Sequence, residues 1–249
     1  MLAAARIEAP LAEALGTNDQ ESLKRVVWML EMLAQRLALS SEAPAPARST
    51  PTQAGFNAAY TGETGPPWDI GRPQPAFQAL ADAGALRGRV LDVGCGTGEH
   101  ALMAARLGLE ATGIDSAPAA IQLAQHKASE RGLQARFFVW NALELTQLGE
   151  QFDTLLDCGL FHVFSDPERE AYVRNLEAVL PADRGGRFFM LCFSDRQPGT
   201  LGPRRVSEAE LRAAFSSASW RVDSIEPARL QITTAPAGVE AWLATVTRA

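Results

Sequence analysis

The residues best suited to chemistry are a glycine turn and the acid that follows it. Gly94-Cys95-Gly96-Thr97-Gly98 carries glycine at alternate positions. A backbone without Cβ atoms reaches left-handed conformations and lets a ligand press directly against it. Asp115, in the segment GIDSAP, follows roughly twenty residues later, where a carboxylate can take both hydroxyls of a ribose. The same carboxylate can cap the helix behind it, with Ser116 as the other candidate cap. A pyrophosphate-binding turn places its third glycine at position 99, where this chain has Glu99, so the spacing is GxGxG and not GxGxxG. An acid at a helix mouth repels a pyrophosphate, and Asp92, just before the turn, adds further negative charge. A cationic ligand tolerates this charge far better.

The elements that must position these residues alternate. Arg89 to Gly94 is a short apolar run closed by glycine, which predicts a buried strand, and a helix follows through Ala105. Glu110 to Ile114 predicts a second strand, and Ala117 to Arg131 a second helix with Pro118 in its first turn. Arg136 to Trp140 and Phe152 to Asp157 are the third and fourth strands. Pro167 to Leu180 is a helix stopped by Pro181, and Gly186 to Phe193 the fifth strand. Ser207 and Glu210 have capping-box spacing ahead of a helix ending at Phe215. Trp220 to Ile225 and Ala241 to Val246 are late strands. This order predicts an α/β fold, a largely parallel sheet with helices on both faces.

Ahead of this region, Leu23, Val26, Val27, Leu30, Leu33 and Leu37 recur on one face of a helix over 20–39. The stretch 41–54 has three prolines and almost nothing large and apolar, which marks a connector or a tether. The expected organisation is a helical extension over 1–40, a linker over 41–54 and one domain over 55–249.

With 249 residues, 47% of them hydrophobic and 21% charged, the chain can bury a core, which excludes general disorder. A net charge of -6 argues against a dedicated nucleic-acid binder. Cys95, Cys158 and Cys192 are far apart and odd in number, and only three histidines accompany them. Neither a disulfide framework nor a metal site is expected. The N-terminal stretch is interrupted by Arg6, Glu8, Pro10 and Glu13, unlike a signal peptide, and no run approaches the ~18 apolar residues of a membrane span. The expectation is a soluble protein in the reducing cytoplasm, away from membranes.

VLDVGCGTGEHAL (Val90 to Leu102) and GIDSAP resemble the first two motifs of class I S-adenosylmethionine-dependent methyltransferases. Four further segments resemble a bacterial branch of that family acting on small molecules, related to thiol, thiopurine and halide methyltransferases and including enzymes for hydroxyquinolone-like toxins. These are Tyr60 to Phe77, Phe152 to Phe164, Phe193 to Ser207 and the C-terminal AWLATVTR. The resemblance implies a Rossmann-like sheet of seven strands, with S-adenosyl-L-methionine bound over the first, second and fourth and S-adenosyl-L-homocysteine as product. It places Gly94, Gly96 and Gly98 beside the methionine part and Asp115 beside the ribose, and Asp92, Cys95 and Ser116 among the residues that bind the cofactor. Asn141-Ala142 falls beside the adenine, where the family more often has Asp-Ala. Asp157 would reach the cofactor's amino group or the substrate. Trp68 would close over the cofactor, or else pack as a buried aromatic.

Methyl transfer from a sulfonium is an in-line displacement, so alignment and exclusion of water supply most of the acceleration. A base is needed only when the nucleophile arrives protonated with a high pKa. His162, five residues beyond Asp157, is the candidate base, against the alternative of a hydrogen-bonded core histidine. Phe161, Phe164 and Tyr60 can form a flat wall for an aromatic acceptor or belong to the core. Arg204 and Arg205 can attract an anionic acceptor or lie in a solvated loop. Cys158 is read as packing. The function expected is methyl transfer to a small aromatic or heterocyclic S-, O- or N-nucleophile, in tailoring or detoxification. The alternatives are a non-catalytic S-adenosylmethionine-binding partner protein and an NAD-linked reductase. The extra N-terminal helix could pair two subunits into a homodimer, cap the site or cover an apolar patch.

Overall fold

The computed structural model describes residues 52–199 and 202–249. The helix expected over 20–39 and the linker up to residue 51 lie outside the described residues. The linker's expected end at residue 54 is overtaken by a helix, α1 (Gln53–Thr61), which Thr52 caps by accepting from the Gly55 amide at 3.2 Å. A second helix that periodicity did not disclose, α2 (Pro75–Asp82), follows and buries Phe77 and Ala81.

Alternation then proceeds as the sequence predicts: β1 (Arg89–Val93), α3 (Glu99–Arg106), β2 (Glu110–Asp115), α4 (Pro118–Glu130), β3 (Ala135–Val139), β4 (Thr154–Cys158), α5 (Asp166–Val179) and β5 (Arg187–Phe193). Short 3-10 turns occupy Ala142–Gln147 and Phe161–Val163, on either side of β4. The chain closes with α6 (Glu208–Ala214), β6 (Trp220–Ile232) and β7 (Ala235–Arg248). Ser165 with Glu168, and Ser207 with Glu210, form capping boxes on α5 and α6.

All seven strands make one sheet in the order β3-β2-β1-β4-β5-β7-β6. The first five are parallel, and β7 runs antiparallel to both β5 and β6. The late strands are longer than expected and form a hairpin. Pro227 sits inside β6, which a central strand would not tolerate, but β6 is the sheet edge and its missing donor costs no ladder bond inside the sheet.

The sheet carries apolar residues on both faces, which is why its strands read as continuous apolar runs. Leu91, Val93, Leu155, Phe188 and Met190 pack with Tyr172, Leu176, Phe215 and Trp220 in one buried layer. Val90, Leu156, Phe189 and Leu191 pack with Phe77, Leu102, Ile121 and Ala124 in the other. β1 pairs with β2 on one side and β4 on the other, so strand order reverses there. In an open parallel sheet, ligands bind outside the carboxyl ends of the strands at that switch.

Candidate active site at the carboxyl ends of the strands

The glycine turn leaves β1 at this switch. Gly94, Gly96 and Gly98 all have positive φ, at 71°, 54° and 84°. The Cys95 amide donates to the Ile114 carbonyl at 2.8 Å, tying the turn to β2 and leaving the Cys95 side chain buried. The three glycines are required for different reasons. A Cβ on Gly96 would fall 2.8 Å from the Tyr60 hydroxyl, and one on Gly94 would meet Leu160 at 3.0 Å. A Cβ on Gly98 would instead strike the Phe137 ring and Ala124, so this glycine permits close packing of α3 against β3 and α4. Its place is inside the protein, not at a ligand surface.

Asp115 reaches back over the turn. Its Oδ2 accepts from the Gly96 amide at 2.9 Å and its Oδ1 from the Ala117 amide at 2.8 Å. Burial raises its pKa, and the N–H groups of Ala117, Gly96 and Ser116 hold it partly down. The N-cap of α4 is Ala117, so neither Asp115 nor Ser116 caps that helix. Asn57 of α1 supplies the missing acceptor, its Oδ1 taking the Ala119 amide at 2.9 Å, while Gln53 Nε2 donates to the Ser116 carbonyl at 2.6 Å. Helix α1 is thereby fastened onto the first turn of α4, and Tyr60 near its end comes to lie beside Gly96. Trp68 Nε1 donates to the Tyr60 hydroxyl at 2.9 Å, with the two rings edge to face. Trp68 itself is 44% exposed, so it covers the turn from outside and is not a core aromatic.

Two more carboxylates converge here from opposite faces of the sheet. Asp157 is completely buried, accepting from the Leu160 and Phe161 amides at 2.8 and 3.1 Å and from the Tyr172 hydroxyl at 3.0 Å. Burial pushes its pKa up to about 6 against those three donors. Asp92 is buried as deeply, but only Oδ2 has a donor, the Ala101 amide at 3.2 Å, and Oδ1 has no partner. Burial, with Asp115 and Asp157 nearby, raises its pKa to about 8. The hydrogen-bond donors to these three carboxylates are backbone amides and one phenol, with no lysine or arginine among them, and the His100 imidazole 4.0 Å from Asp92 has its pKa lowered to about 4 by burial. A positively charged ligand is what such a set can accept, and S-adenosylmethionine, a sulfonium carrying an ammonium, fits it.

Glu99, by contrast, does not face the ligand side. Arg131 grips it with two bonds at 2.7 and 2.8 Å and Lys127 with a third at 2.8 Å. Burial would raise its pKa, but these cations outweigh that and hold it below the ordinary range. Its charge is spent on α4, which corrects the expectation that it repels pyrophosphate from the turn.

Asn141 caps the 3-10 turn, Oδ1 accepting from Leu143 at 3.0 Å and Nδ2 donating to Glu144, with Ala142 buried behind it. Of the two alternatives for the aromatic wall, Phe161 and Phe164 take the core, while Tyr60 lies beside the turn. Phe161 is 1% exposed under the Arg169 guanidinium and beside Phe215, and Phe164 packs on Tyr172; the 3-10 turn rolls both into the core. Arg204 is held by Asp166 and Glu210, spanning the starts of α5 and α6. Arg205 donates to the Pro203 carbonyl and lies over the Phe193 ring.

His162 is buried, and its Nδ1 accepts from the Phe193 amide at 3.1 Å. A neutral imidazole that accepts at Nδ1 carries its proton on Nε2 and has no lone pair left to act as a base. Burial, then the charges of Arg169 and Arg205, lower its pKa to about 3. Both facts run against the expected base. Cys158 is half-buried at the end of β4, with its thiol pKa pushed up by burial. A groove of about 500 Å³ lined by Arg89, Glu150 and Arg184 opens where β1 begins, at the opposite end of the strand from the turn. Among the described residues no group of acids, histidines and cysteines could hold a metal ion, and no helix is long and apolar enough to cross a membrane.

Residues around the turn that sequence reasoning missed are Thr97, Asp69, Lys127, His100, Gln53 and Asn57. Their partners lie 26 to 63 residues away, and only the strand order brings them together.

Residues 90–183 match the family described as a methyltransferase domain. A 2-heptyl-1-hydroxyquinolin-4(1H)-one methyltransferase of Mycobacteroides abscessus is 41% identical over 184 residues, covering 70% of this chain and 80% of its own. A probable thiol methyltransferase of Arabidopsis thaliana is 28% identical, over 64% of this chain and 70% of its own. A solved structure concerned with conversion of a disulfide bond into a thioacetal group during echinomycin biosynthesis is 40% identical. It superposes with a TM-score of 0.72, over 79% of this chain and 93% of that one. Magnesium protoporphyrin IX methyltransferase from Synechocystis, with bound S-adenosylmethionine, shares the fold at 21% identity and a TM-score of 0.54, over 70% and 76% of the two chains. The chain belongs to the class I S-adenosylmethionine-dependent methyltransferases that act on small molecules.

Proposed function

We propose that this enzyme methylates a flat heteroaromatic acceptor whose hydroxyl or thiol is acidic enough to arrive as an anion. The observation that supports this most is His162, whose Nδ1 is filled by the Phe193 amide and whose pKa is lowered to about 3. The Tyr60 phenol beside the turn has its pKa raised by burial and by Asp115, so it holds its proton. When bound, S-adenosylmethionine supplies a sulfonium methyl: the anion's lone pair bonds to the methyl carbon as the C–S pair returns to sulfur. No proton has to be removed in that step, which suits an N-hydroxy heterocycle or a thiol. The names of the Mycobacteroides and Arabidopsis relatives, a hydroxyquinolone and a thiol methyltransferase, lend support.

In this reading Gly94 and Gly96 let the cofactor's methionine part approach the backbone. Asp115 keeps free lone pairs on both oxygens for the ribose hydroxyls, and Asn141-Ala142 borders the adenine. Asp157 and Asp115 set the negative potential that selects a cation, Asp92 joins them only where a bound cation draws off its proton, and Tyr60 and Trp68 cover the turn and exclude water. The acceptor's own acidity then governs the pH dependence. With acceptors of graded pKa, the inflection in kcat/KM moves with the acceptor; an inflection fixed at one pH for all of them would overturn the reading. The place of the reaction, in tailoring of a natural product or in removal of a toxin, is part of the same proposal. So is the pairing of subunits by the helix expected over 20–39. Deleting residues 1–50 and measuring mass in solution tests it, and an unchanged dimer would sink it.

A further inference from the structure

The cover over the turn is fixed by a chain of polar contacts. Lys127 Nζ donates to Thr97 Oγ1 at 2.7 Å, and Thr97 Oγ1 donates to Asp69 Oδ2 at 2.8 Å. The direction is set at both ends, because an ammonium can only donate and a carboxylate can only accept. Lys127 also donates to Glu99 at 2.8 Å and lies 4.0 Å from Asp69 Oδ1. Asp69 directly follows Trp68, whose indole holds the Tyr60 hydroxyl beside Gly96. Thr97 of the turn is therefore bonded to Asp69 of the cover, while the neighbouring Gly96 has the Tyr60 hydroxyl packed close beside it. The cover has other anchors, the Pro67 carbonyl beside Trp68 accepting from the Thr233 amide at 2.8 Å and Gln74 exchanging two bonds with the Gln231 backbone.

We propose that Lys127, Thr97 and Asp69 form a latch that positions Trp68 and Tyr60 over the cofactor turn and sets how slowly the cofactor leaves. Thr97 is the pin, since its single hydroxyl both accepts from α4 and donates to the cover. Other contacts tie the cover to the β6–β7 hairpin, and Gln53 and Asn57 tie α1 to the start of α4, whereas the latch reaches the glycine turn itself, at Thr97. The three side chains are positioning residues and need not touch substrate. The inference rests on reading Gly94 to Gly98 as the cofactor turn.

Thr97→Val keeps the shape of the side chain and removes both bonds, while Thr97→Ser restores them. Stopped-flow release and calorimetric binding of S-adenosylhomocysteine are measured for wild type, both variants, Asp69→Ala and the double variant Thr97→Val/Asp69→Ala. The latch predicts that Thr97→Val and Asp69→Ala each speed release and weaken binding about tenfold. Thr97→Ser stays close to wild type, and the double variant is no worse than either single one, because both remove the same link. The KM for the methyl acceptor stays unchanged, which general damage to the site would not allow. Unchanged release in Thr97→Val, or single effects that simply add, would overturn the latch. Failure of the wild type to bind the nucleoside would instead overturn the reading of the turn.

Discussion

Tyr172 donates its phenolic hydrogen to Asp157 at 3.0 Å, and both side chains are completely buried where β4 leaves the sheet. The phenol replaces water for a carboxylate that burial would otherwise drive further toward its protonated form. Tyr172→Phe removes that donor, sends the Asp157 pKa above about 6 and costs about 1–2 kcal/mol of stability. Denaturant titration checks the stability. The cost is larger above pH 6, where the carboxylate is ionised, than at about pH 5, where the bond matters less.

Asp92 makes the opposite demand on pH from a surface carboxylate. Its pKa rises from 3.8 in the unfolded chain to about 8 in the fold, so between those values the folded protein holds the extra proton. The stabilisation from that proton is complete below the unfolded value and is lost as pH rises through about 8. Asp92→Asn, which mimics the protonated form, is therefore expected to be more stable than wild type at about pH 9 by at least about 1 kcal/mol, with the gap closing toward about pH 5. Melting curves without ligand at a series of pH values read this directly. A gap independent of pH would contradict it.

His162 is predicted to matter for stability more than for turnover. His162→Asn keeps an acceptor for the Phe193 amide but loses the ring that packs edge to face on Phe193. We expect kcat to stay within about tenfold of wild type, where loss of a true general base removes about 100-fold or more. Single-turnover rates with saturating acceptor make the comparison. A drop of the larger size would restore His162 to the chemistry.

Glu99 ties α3 to α4 through a buried carboxylate with two cations. Glu99→Gln takes the carboxylate from Arg131 and leaves Lys127 only Asp69, at 4.0 Å, and about 1–2 kcal/mol of stability should be lost, discounted because both cations are partly exposed. High salt narrows the difference between variant and wild type.

Most of the fold was legible in the sequence for a physical reason. Strands buried on both faces are unbroken apolar runs, and a glycine turn at the end of one is hard to mistake. Helix α1 was not legible because none of its residues is buried, so it has no apolar stripe to detect. The β6–β7 hairpin read as two short strands because Pro227 and Pro236 interrupt the pattern, although an edge strand can carry a proline. At the site, Asp115 accepts from the Gly96 amide, across the spacing that singled it out in the sequence, whereas Asp157 and Trp68 were suggested by the family resemblance. Phe161, Phe164 and Arg204 do not fall around the turn, since an aromatic pair or an arginine announces its chemistry but not the direction a 3-10 turn or a neighbouring carboxylate will give it. Thr97, Lys127 and Asp69 carried no local signal at all, because each acquires its role only through the other two.

The central claim is methyl transfer to an acceptor that supplies its own anion from a cofactor held at Asp115. The most direct measurement is transfer of labelled methyl from S-adenosylmethionine to 2-heptyl-1-hydroxyquinolin-4(1H)-one and to aryl thiols, by wild type and Asp115→Ala. The account predicts methylated acceptor and S-adenosylhomocysteine in equal amounts, with a KM for the cofactor raised at least about tenfold in the variant. Wild-type enzyme that binds S-adenosylmethionine but methylates neither the hydroxyquinolone nor any thiol, or an Asp115→Ala variant with an unchanged KM, would contradict it.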